Sequence, residues 1–379
     1  MKLPPLSLYI HIPWCIQKCP YCDFNSHQQR GELPATAYVD ALLEDLQHDL
    51  SYVQGRSIKS VFFGGGTPSL MPAEELKRLL SKIQEQLIFE DDCEITLEAN
   101  PGTAEYSNFD LLLQAGINRL SFGAQSFNDL QLQKLGRIHN SDEITFAVNK
   151  AQAAGFNNIN IDLMHSLPGQ TVNEALADIE AAIALKPQHL SWYQLTIEPN
   201  TAFYSQPPVL PNDEQSAAIY EAGIELLENK AYKQYEVSAY TQPSKESKHN
   251  LNYWRFGDYL AIGAGAHGKI SQKDGQILRF QKTRQPQAYL DSQGSRSSKV
   301  APITQTELAL EFMMNALRLK QGVEAQLFTE RTGLPWTEIE KQVQHLKKIG
   351  LLENKVNQLQ CSDTGQRWLN DILSHFMVA

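Results

Sequence analysis

Short apolar runs alternate with amphipathic stretches from residue 6 to about residue 194. The apolar runs have the length of β-strands, and the stretches between them repeat apolar residues at helical spacing. The predicted strands span residues 8–12, 60–63, 94–99, 119–123, 158–163 and 189–194. The predicted helices lie near residues 37–52, 72–86, 108–115, 142–154 and 172–185. This half of the chain is therefore built from six repeated strand–helix units.

Strands that alternate with helices and are joined by short connections run parallel, with right-handed crossovers. Six such units predict an α/β fold, a partial (β/α)6 barrel of the TIM type, with a doubly wound sheet as the alternative. In a parallel barrel the functional side chains lie at the carboxyl ends of the strands. That rule tells us where to look for candidate chemistry.

The strand–helix alternation ends at about residue 194, and after Gly268 the pattern of apolar residues loosens. From about Thr304 the sequence predicts helices over residues 308–319, 324–332 and 336–349, a small hairpin within 351–360, and a helix from Asp363. Three helices with a two-stranded wing indicate a winged-helix-like α+β domain, which we interpret as a lid or protein-contact module. We expect a barrel over residues 1–235, a connecting segment over 236–298 and this domain over 299–379.

Composition and charge narrow the class of protein. With 379 residues the chain is long enough for one large domain and one small one. The net charge of −10 argues against a nucleic-acid-binding protein. No apolar run approaches the roughly 18 residues of a membrane span, and no targeting segment is visible. We expect a cytoplasmic protein; peripheral membrane contact and a homodimer stay open.

Three of the five cysteines form a C-x3-C-x2-C pattern directly after the first predicted strand, at Cys15, Cys19 and Cys22. Three thiolates on one loop can hold three irons of a cubane iron–sulfur cluster and leave the fourth iron open to a small molecule. The odd number of cysteines and their short spacings argue against disulfides. The alternative is a zinc site, which would need a fourth ligand such as His11 or His27.

Other candidate residues follow the ends of the next strands. Gly64–Gly66 ends the second strand, Glu98 the third, Gln125 follows the fourth, and Asp162 lies near the end of the fifth. A glycine run lets backbone groups approach a zwitterionic ligand closely, and a carboxylate at this level can accept hydrogen bonds from two ribose hydroxyls. The alternatives are a simple turn at the glycines, a surface acid at Glu98, polar core groups at Gln125 and Asp162, and a solvated helix end at Arg137.

Several segments together resemble the radical S-adenosylmethionine (SAM) superfamily and its HemN-like branch: YIHIPWC, FGGGTPS, LEANP, SFGAQSF and NIDLMHSLPGQ. The resemblance covers essentially the whole chain. It implies a [4Fe-4S] cluster on the three cysteines, with an electron donor, and SAM bound at the open iron. By matching motif it also implies cofactor contacts from Tyr9, Tyr21, Gly65, Gly66, Thr67, Glu98, Gln125, Arg137 and Asp162. No catalytic side chain is assigned.

The HemN-like branch contains two functions, oxygen-independent coproporphyrinogen III oxidases and heme chaperones. The oxidases carry a further cysteine two residues after the third, where this chain has Phe24. They also have an extension before the first strand, which here begins by about Leu8. Without such a cover, shielding a substrate radical from solvent is harder. These departures favour the heme chaperones, with the oxidase activity as the alternative.

A third feature supports the chaperone interpretation. Residues 249–254 read HNLNYW, which resembles the proposed heme-binding motif H-N-x-x-Y-W of that group. Imidazole is a common axial ligand of heme iron, so His249 is the heme candidate. His267, in a glycine-rich turn, is a rival. The resemblance thus implies heme as ligand and heme-acceptor apoproteins as partners; a loop histidine beside an aromatic core is the alternative.

Overall fold

A computed structural model of the protein describes residues 2–102 and 109–377. In this part of the chain, twelve strands form one large sheet. They are Leu6–Ile12 (β1), Ile58–Gly65 (β2), Phe89–Ala99 (β3), Arg119–Gln125 (β4), Ile159–His165 (β5), His189–Gln194 (β6), Lys233–Glu236 (β7), Ala239–Thr241 (β8), Asp258–Ile262 (β9), His267–Ser271 (β10), Ile277–Lys282 (β11) and Ser297–Pro302 (β12).

Strands β1 to β6 lie side by side in chain order and pair in parallel. In a doubly wound sheet the strand order reverses, because later strands are added on the other side of the first one. Strands β1 to β6 instead follow one another in chain order. All six predicted strands are therefore confirmed, and so is the partial-barrel arrangement. The side chains on the outer face of these strands are apolar, such as Leu8, Leu97 and Ile161, whereas the inner face carries buried polar groups such as Thr96, Ser121 and Asn160.

The helices that connect these strands lie close to their predicted positions, at Ala35–Asp49, Ala73–Gln84, Phe109–Gln114, Ser141–Ala153 and Val172–Ala184. Residue 108, the expected start of the third, is outside the described residues. Capping boxes fix two of the starts: Asn140 pairs with Glu143, and Thr171 pairs with Glu174. Further helices are Asp129–Lys134, Ala202–Ser205, Asp213–Asn229, Lys248–Trp254 and Pro286–Asp291.

Residues 236–298, which we expected to be a connection, contribute to the large sheet. Strand β9 pairs in parallel with β1, and β10, β11 and β12 extend the sheet by antiparallel pairing. Lys282, on β11, is fully buried and donates to Asp45 and Asp49 of the first helix at 2.6 Å each. Because a buried ammonium needs such partners, this contact fixes the added strands on the barrel.

The C-terminal domain contains the helices Gln305–Ala316, Gln326–Thr332, Glu340–Lys348, Asp363–Arg367 and Leu369–Ser374 around a core of its own. The predicted hairpin over about 351–360 forms: Leu352 and Cys361 make an antiparallel bridge, and the Glu353 amide donates to the Gln360 carbonyl oxygen at 2.9 Å. Its second arm also pairs, through Gln358–Leu359, with Val323–Glu324. Gly322 permits this pairing, since a Cβ there would lie 2.0 Å from the Leu359 carbonyl oxygen. The domain joins the sheet edge through a bridge between Glu236 and Leu319.

Over residues 2–102 and 109–377, none of the helices has the length and apolar character needed to cross a membrane.

Candidate functional site

A cavity of about 580 Å³ opens at the carboxyl ends of β1 to β6. It is lined by Cys15, Cys19 and Cys22 and by eight of the nine predicted cofactor residues, namely Tyr21, Gly65, Gly66, Thr67, Glu98, Gln125, Arg137 and Asp162. Because they lie at or after the carboxyl ends of the neighbouring parallel strands β1 to β5, the fold brings them to one mouth. These residues therefore lie together in one cavity, as the sequence predicted.

The cysteine loop is held in shape by backbone carbonyl groups. Lys18 donates through Nζ to the carbonyl oxygens of Phe24 at 3.1 Å and Ser26 at 3.2 Å. The side chain of Asn25 donates to the carbonyl oxygens of Ala264 and Arg284, both at 2.9 Å. The loop is therefore fixed on one side by its own lysine and on the other by the strands β9 to β11.

The three thiols lie in different surroundings. Burial raises the pKa of the Cys15 thiol, and a hydrogen bond with Thr67 offsets part of this increase. Cys19 Sγ accepts from Arg137 Nη1 at 3.5 Å, and Cys22 Sγ lies 3.5 Å from the Ser26 hydroxyl. The Cys15 sulfur is therefore buried, whereas the sulfurs of Cys19 and Cys22 each have a polar partner.

The arrangement fits a cluster better than a single metal ion. Both ring nitrogens of His11 have other partners, the Tyr9 hydroxyl and the Asn25 carbonyl oxygen, so this ring is not a free fourth ligand. Among the described residues, no three His, Cys, Asp or Glu side chains converge tightly enough to hold one ion. A cubane binds each thiolate at a separate iron, so its cysteines stand farther apart.

The glycines at the end of β2 bring that strand against the cysteine loop. A Cβ on Gly66 would lie 2.5 Å from the Trp14 carbonyl oxygen, and one on Gly65 would lie 2.5 Å from the His11 ring. The amide of Gly66 donates to the Ile12 carbonyl oxygen, and that of Thr67 to the Trp14 carbonyl oxygen, both at 2.7 Å. Glycine is thus required here by close packing, whether or not a ligand is bound.

Two carboxyl groups face each other across the cavity. Burial and the neighbouring charge of Asp162 raise the pKa of Glu98 to about 8, although the Gly65 amide donates to Glu98 Oε2 at 3.2 Å. Burial also raises the pKa of Asp162, which accepts from Ser121 at 3.1 Å and Asn160 at 2.7 Å. A cationic ligand between them would favour the ionised forms.

Arg137 and Gln125 are held by specific partners. Arg137 Nη2 donates to Asn100 Oδ1 and to the Gly123 carbonyl oxygen, both at 2.6 Å, so this residue is not a solvated helix end. Gln125 has a φ of 73° at a bulge in β4, and its Oε1 accepts from the Tyr193 hydroxyl at 2.9 Å. The bulge turns the Gln125 side chain into the cavity.

Several lining residues were not predicted as cofactor contacts. Tyr193 lies at the carboxyl end of β6, and five others come from outside the six strand ends: Glu236, Ser238, Asn250, Trp254 and Arg318. Arg318 belongs to the C-terminal domain; its guanidinium lies 4.4 Å from the Trp254 ring centroid and 3.7 Å from Glu236 Oε2. For Asn250 and Trp254, the sequence contained a signal that could have predicted their position at the cavity, because both belong to the H-N-x-x-Y-W motif. The C-terminal domain therefore closes one side of the cavity.

Two predicted residues lie outside the lining. Tyr9 packs on Phe62, with ring centroids 6.3 Å apart, and its hydroxyl lies 2.9 Å from His11 Nδ1. The His249 ring is only 6% exposed and stacks on Phe62, with centroids 4.6 Å apart. Burial lowers the pKa of His249 to about 3, and its Nδ1 has no hydrogen-bond partner. His249 is thus a neutral imidazole inside the barrel.

Comparison with known proteins gives matches along the whole chain. The profile of the Radical SAM superfamily matches residues 9–182, and that of the HemN C-terminal domain matches residues 303–368. The heme chaperone HemW of Haemophilus influenzae is 50% identical over 380 residues, covering 99% of each chain. The heme chaperone HemW of Escherichia coli is 48% identical over 377 residues, covering 100% of this chain and 99% of the relative.

One solved structure covers nearly all of the fold. Coproporphyrinogen III oxidase (HemN) from Escherichia coli, described as a radical SAM enzyme, superposes with a TM-score of 0.82 at 25% sequence identity. The match covers 99% of this chain and 90% of that one. The oxidase therefore shares the architecture at half the sequence identity of the two chaperones.

Proposed function

This chain belongs to the HemW group of the radical SAM superfamily, and from that membership we propose that it is a heme chaperone, which binds heme and transfers it to acceptor proteins. The observation that carries the proposal is the identity of 50% and 48%, over essentially full length, with two heme chaperones. The [4Fe-4S] cluster and SAM come with the superfamily. The proposal includes an electron donor for the cluster and a cytoplasmic location, where thiols stay reduced.

The cavity residues fit both cofactors. Cys15, Cys19 and Cys22 would hold the cluster, and Arg137 donates a hydrogen bond to the sulfur of Cys19. When bound, the cluster supplies an open iron for the amino and carboxylate groups of SAM and a route for one electron. The remaining predicted residues in the lining would orient SAM, and Glu98 would accept hydrogen bonds from its ribose hydroxyls.

The position of Phe24 supports a carrier over an oxidase. Phe24 stands where the oxidases have a further cysteine, and its ring is 61% exposed at the rim of the cavity. A radical site needs to exclude water, and an exposed rim does not do so. SAM in this protein is therefore proposed to serve heme handling, with no decarboxylation of coproporphyrinogen III.

The affinity for SAM should depend on pH through Glu98. An ionised carboxylate accepts hydrogen bonds from two hydroxyl groups through both oxygens, whereas the protonated form carries a proton on one oxygen and accepts more weakly, so SAM selects the ionised form. Because the pKa of Glu98 is raised to about 8, the affinity should rise about tenfold per pH unit between pH 6 and 7.5 and level off above about pH 8. Calorimetric titration of the reconstituted protein at several pH values measures this.

The matched comparison is Glu98→Gln against Glu74→Gln, an exposed acid in a surface helix. Glu98→Gln should bind SAM more weakly by about 1–3 kcal/mol and lose the rise with pH. Glu74→Gln should keep both. An unchanged pH profile in Glu98→Gln would show that another group controls the affinity.

Heme binding is tested by titrating the reconstituted protein with hemin. We expect a Soret shift at about one heme per chain, with His249 as a ligand to the iron. His249→Ala should weaken binding about tenfold or more, because loss of an axial ligand removes a direct bond to iron. Since the His249 ring is buried against Phe62, its coordination to heme requires displacement of the helix Lys248–Trp254, so slow binding is also expected.

His267→Ala is the control for this titration, because His267 is the rival ligand and is exposed at the start of β10. A spectrum unchanged in His249→Ala but altered in His267→Ala would transfer the assignment to His267. Turnover of coproporphyrinogen III under reducing, anaerobic conditions would contradict the chaperone function itself. Running both assays on one preparation separates these outcomes.

A further inference from the structure

A continuous chain of buried hydrogen bonds joins the cofactor cavity to the helix Lys248–Trp254. It has four links: Asp162 Oδ1 to Asn160 Nδ2 at 2.7 Å, Asn160 Oδ1 to His189 Nδ1 at 2.6 Å, His189 Nε2 to the Tyr235 hydroxyl at 2.9 Å, and that hydroxyl to Asn250 Nδ2 at 3.4 Å. Asp162 and Asn250 both line the cavity, and the links between them run through the protein interior. The helix is therefore connected to the cavity in two ways: directly, because Asn250 lines the cavity, and indirectly, through the chain of hydrogen bonds from Asp162.

The hydrogen-bonding capacity of the groups identifies the donor and the acceptor of each hydrogen bond. In every one, the donor lies on the Asn250 side and the acceptor on the Asp162 side. An ionised Asp162 only accepts, so Asn160 must present its Nδ2 there and its Oδ1 to His189. His189 therefore donates from Nδ1 and, being neutral, accepts at Nε2 from the Tyr235 hydroxyl. The Tyr235 oxygen is then free to accept from Asn250. Burial, with Arg119 nearby, lowers the pKa of His189 and keeps it neutral.

The helix Lys248–Trp254 has further buried tethers to the same sheet. Near its end, Asn252 Nδ2 donates to the Ser7 hydroxyl oxygen at 3.0 Å and to the Asp258 carbonyl oxygen at 2.8 Å. Glu94, on β3, accepts from the Ser247 hydroxyl and from the His249 amide, both at 3.2 Å. Glu94 fixes the beginning of the helix, whereas Tyr235 contacts Asn250 one residue after His249. A shift of the helix that frees His249 would therefore break the link between Tyr235 and Asn250.

We propose that His189 and Tyr235 are positioning residues that couple SAM binding at Asp162 to the position of the helix carrying His249, so that SAM and heme alter each other's affinity. This rests on the proposed function for the roles of Asp162 and His249. A ligand that engages Asp162 changes how strongly it accepts from Asn160, and a chain of aligned hydrogen bonds passes such a change along. By linkage, heme then changes the affinity for SAM by the same factor.

The first test uses hydrogen–deuterium exchange on the full chain with its cluster reconstituted. In the unmodified protein, SAM should change the exchange rate of peptides covering residues 248–254 by about fivefold or more. Tyr235→Phe removes one hydroxyl and breaks the chain at its centre, so the SAM effect on these peptides should disappear. Tyr232→Phe is the control: it also removes a buried hydroxyl, one that donates to the Pro187 carbonyl oxygen at 2.5 Å outside the chain.

The second test measures hemin affinity with and without SAM. The ratio should differ from one by about fivefold or more in the unmodified protein and in Tyr232→Phe, and should be close to one in Tyr235→Phe. Asn250→Ala removes the last donor, and its ratio should also be close to one, which covers the case that Tyr235→Phe does not fold. Because Asn250 also lines the cavity, its absolute hemin affinity is free to change, and only the ratio with and without SAM is compared. Equal SAM effects in all variants, or no SAM effect in the unmodified protein, would overturn the coupling. Failure to bind hemin at all would contradict the proposed function, while the exchange experiment still decides the coupling.

Discussion

Replacing Cys15, Cys19 or Cys22 by alanine should reduce the iron bound after anaerobic reconstitution from about four atoms per chain to nearly none. All three thiols line one cavity, where each would bind one iron of the cluster. When one of them is removed, two thiolates are too few to retain the cluster, and its iron is lost to solvent. The visible absorption of the cluster should disappear with the iron. Iron and sulfide assays, together with the absorption spectrum, measure the effect.

The two remaining cysteines provide the control. Cys93 and Cys361 are buried away from the cavity, and burial raises the pKa of each thiol to about 12. Such thiols are poor metal ligands, so alanine at either position should leave the iron content unchanged. A colourless protein that binds one zinc through the three loop cysteines would refute the cluster.

Gly66→Ala should abolish both the cluster and SAM binding, although it adds only one methyl group. The new Cβ would lie 2.5 Å from the Trp14 carbonyl oxygen, a backbone atom next to Cys15. The cysteine loop must then move, and overpacking of this kind costs about 1–3 kcal/mol. Iron content and calorimetric SAM titration should both fall, while circular dichroism should show a folded protein.

Gly102→Ala is the matched control, because no atom of residues 2–102 and 109–377, its chain neighbours aside, lies within 4 Å of a Cβ built at Gly102. It should bind iron and SAM as the unmodified protein does. Full cluster occupancy in Gly66→Ala would mean that the loop tolerates displacement, and that the glycine is present for ligand contact instead of packing.

The first half of the fold could be predicted well from the sequence. The strand over 189–194 has its predicted bounds, and the other strands differ by a few residues at their ends. Apolar periodicity is a local property of each segment, and parallel pairing then follows from the strand–helix order. Because residues after parallel strands meet at one edge, the positions of Glu98, Gln125 and Asp162 in the sequence were sufficient to predict one cavity.

The second half was predicted less well, because its structure depends on distant partners. Strand β9 exists as the neighbour of β1, to which it pairs across about two-thirds of the chain length. The wing likewise pairs Val323–Glu324 with Gln358–Leu359, and neither stretch is long enough to show an alternating pattern. Non-local pairing of short strands leaves little local signal.

The sequence by itself determined that three cysteines, a glycine run and two acids meet at one barrel mouth, since strand order and residue type are enough for that inference. Only the tertiary structure decided how each side chain is used. It turned Tyr9 toward His11, buried His249 against Phe62, and brought Arg318 from the C-terminal domain to the cavity. These outcomes depend on packing between segments far apart in the chain, and the hydrogen-bonded connection from Asp162 to Asn250 exists only once that packing is complete.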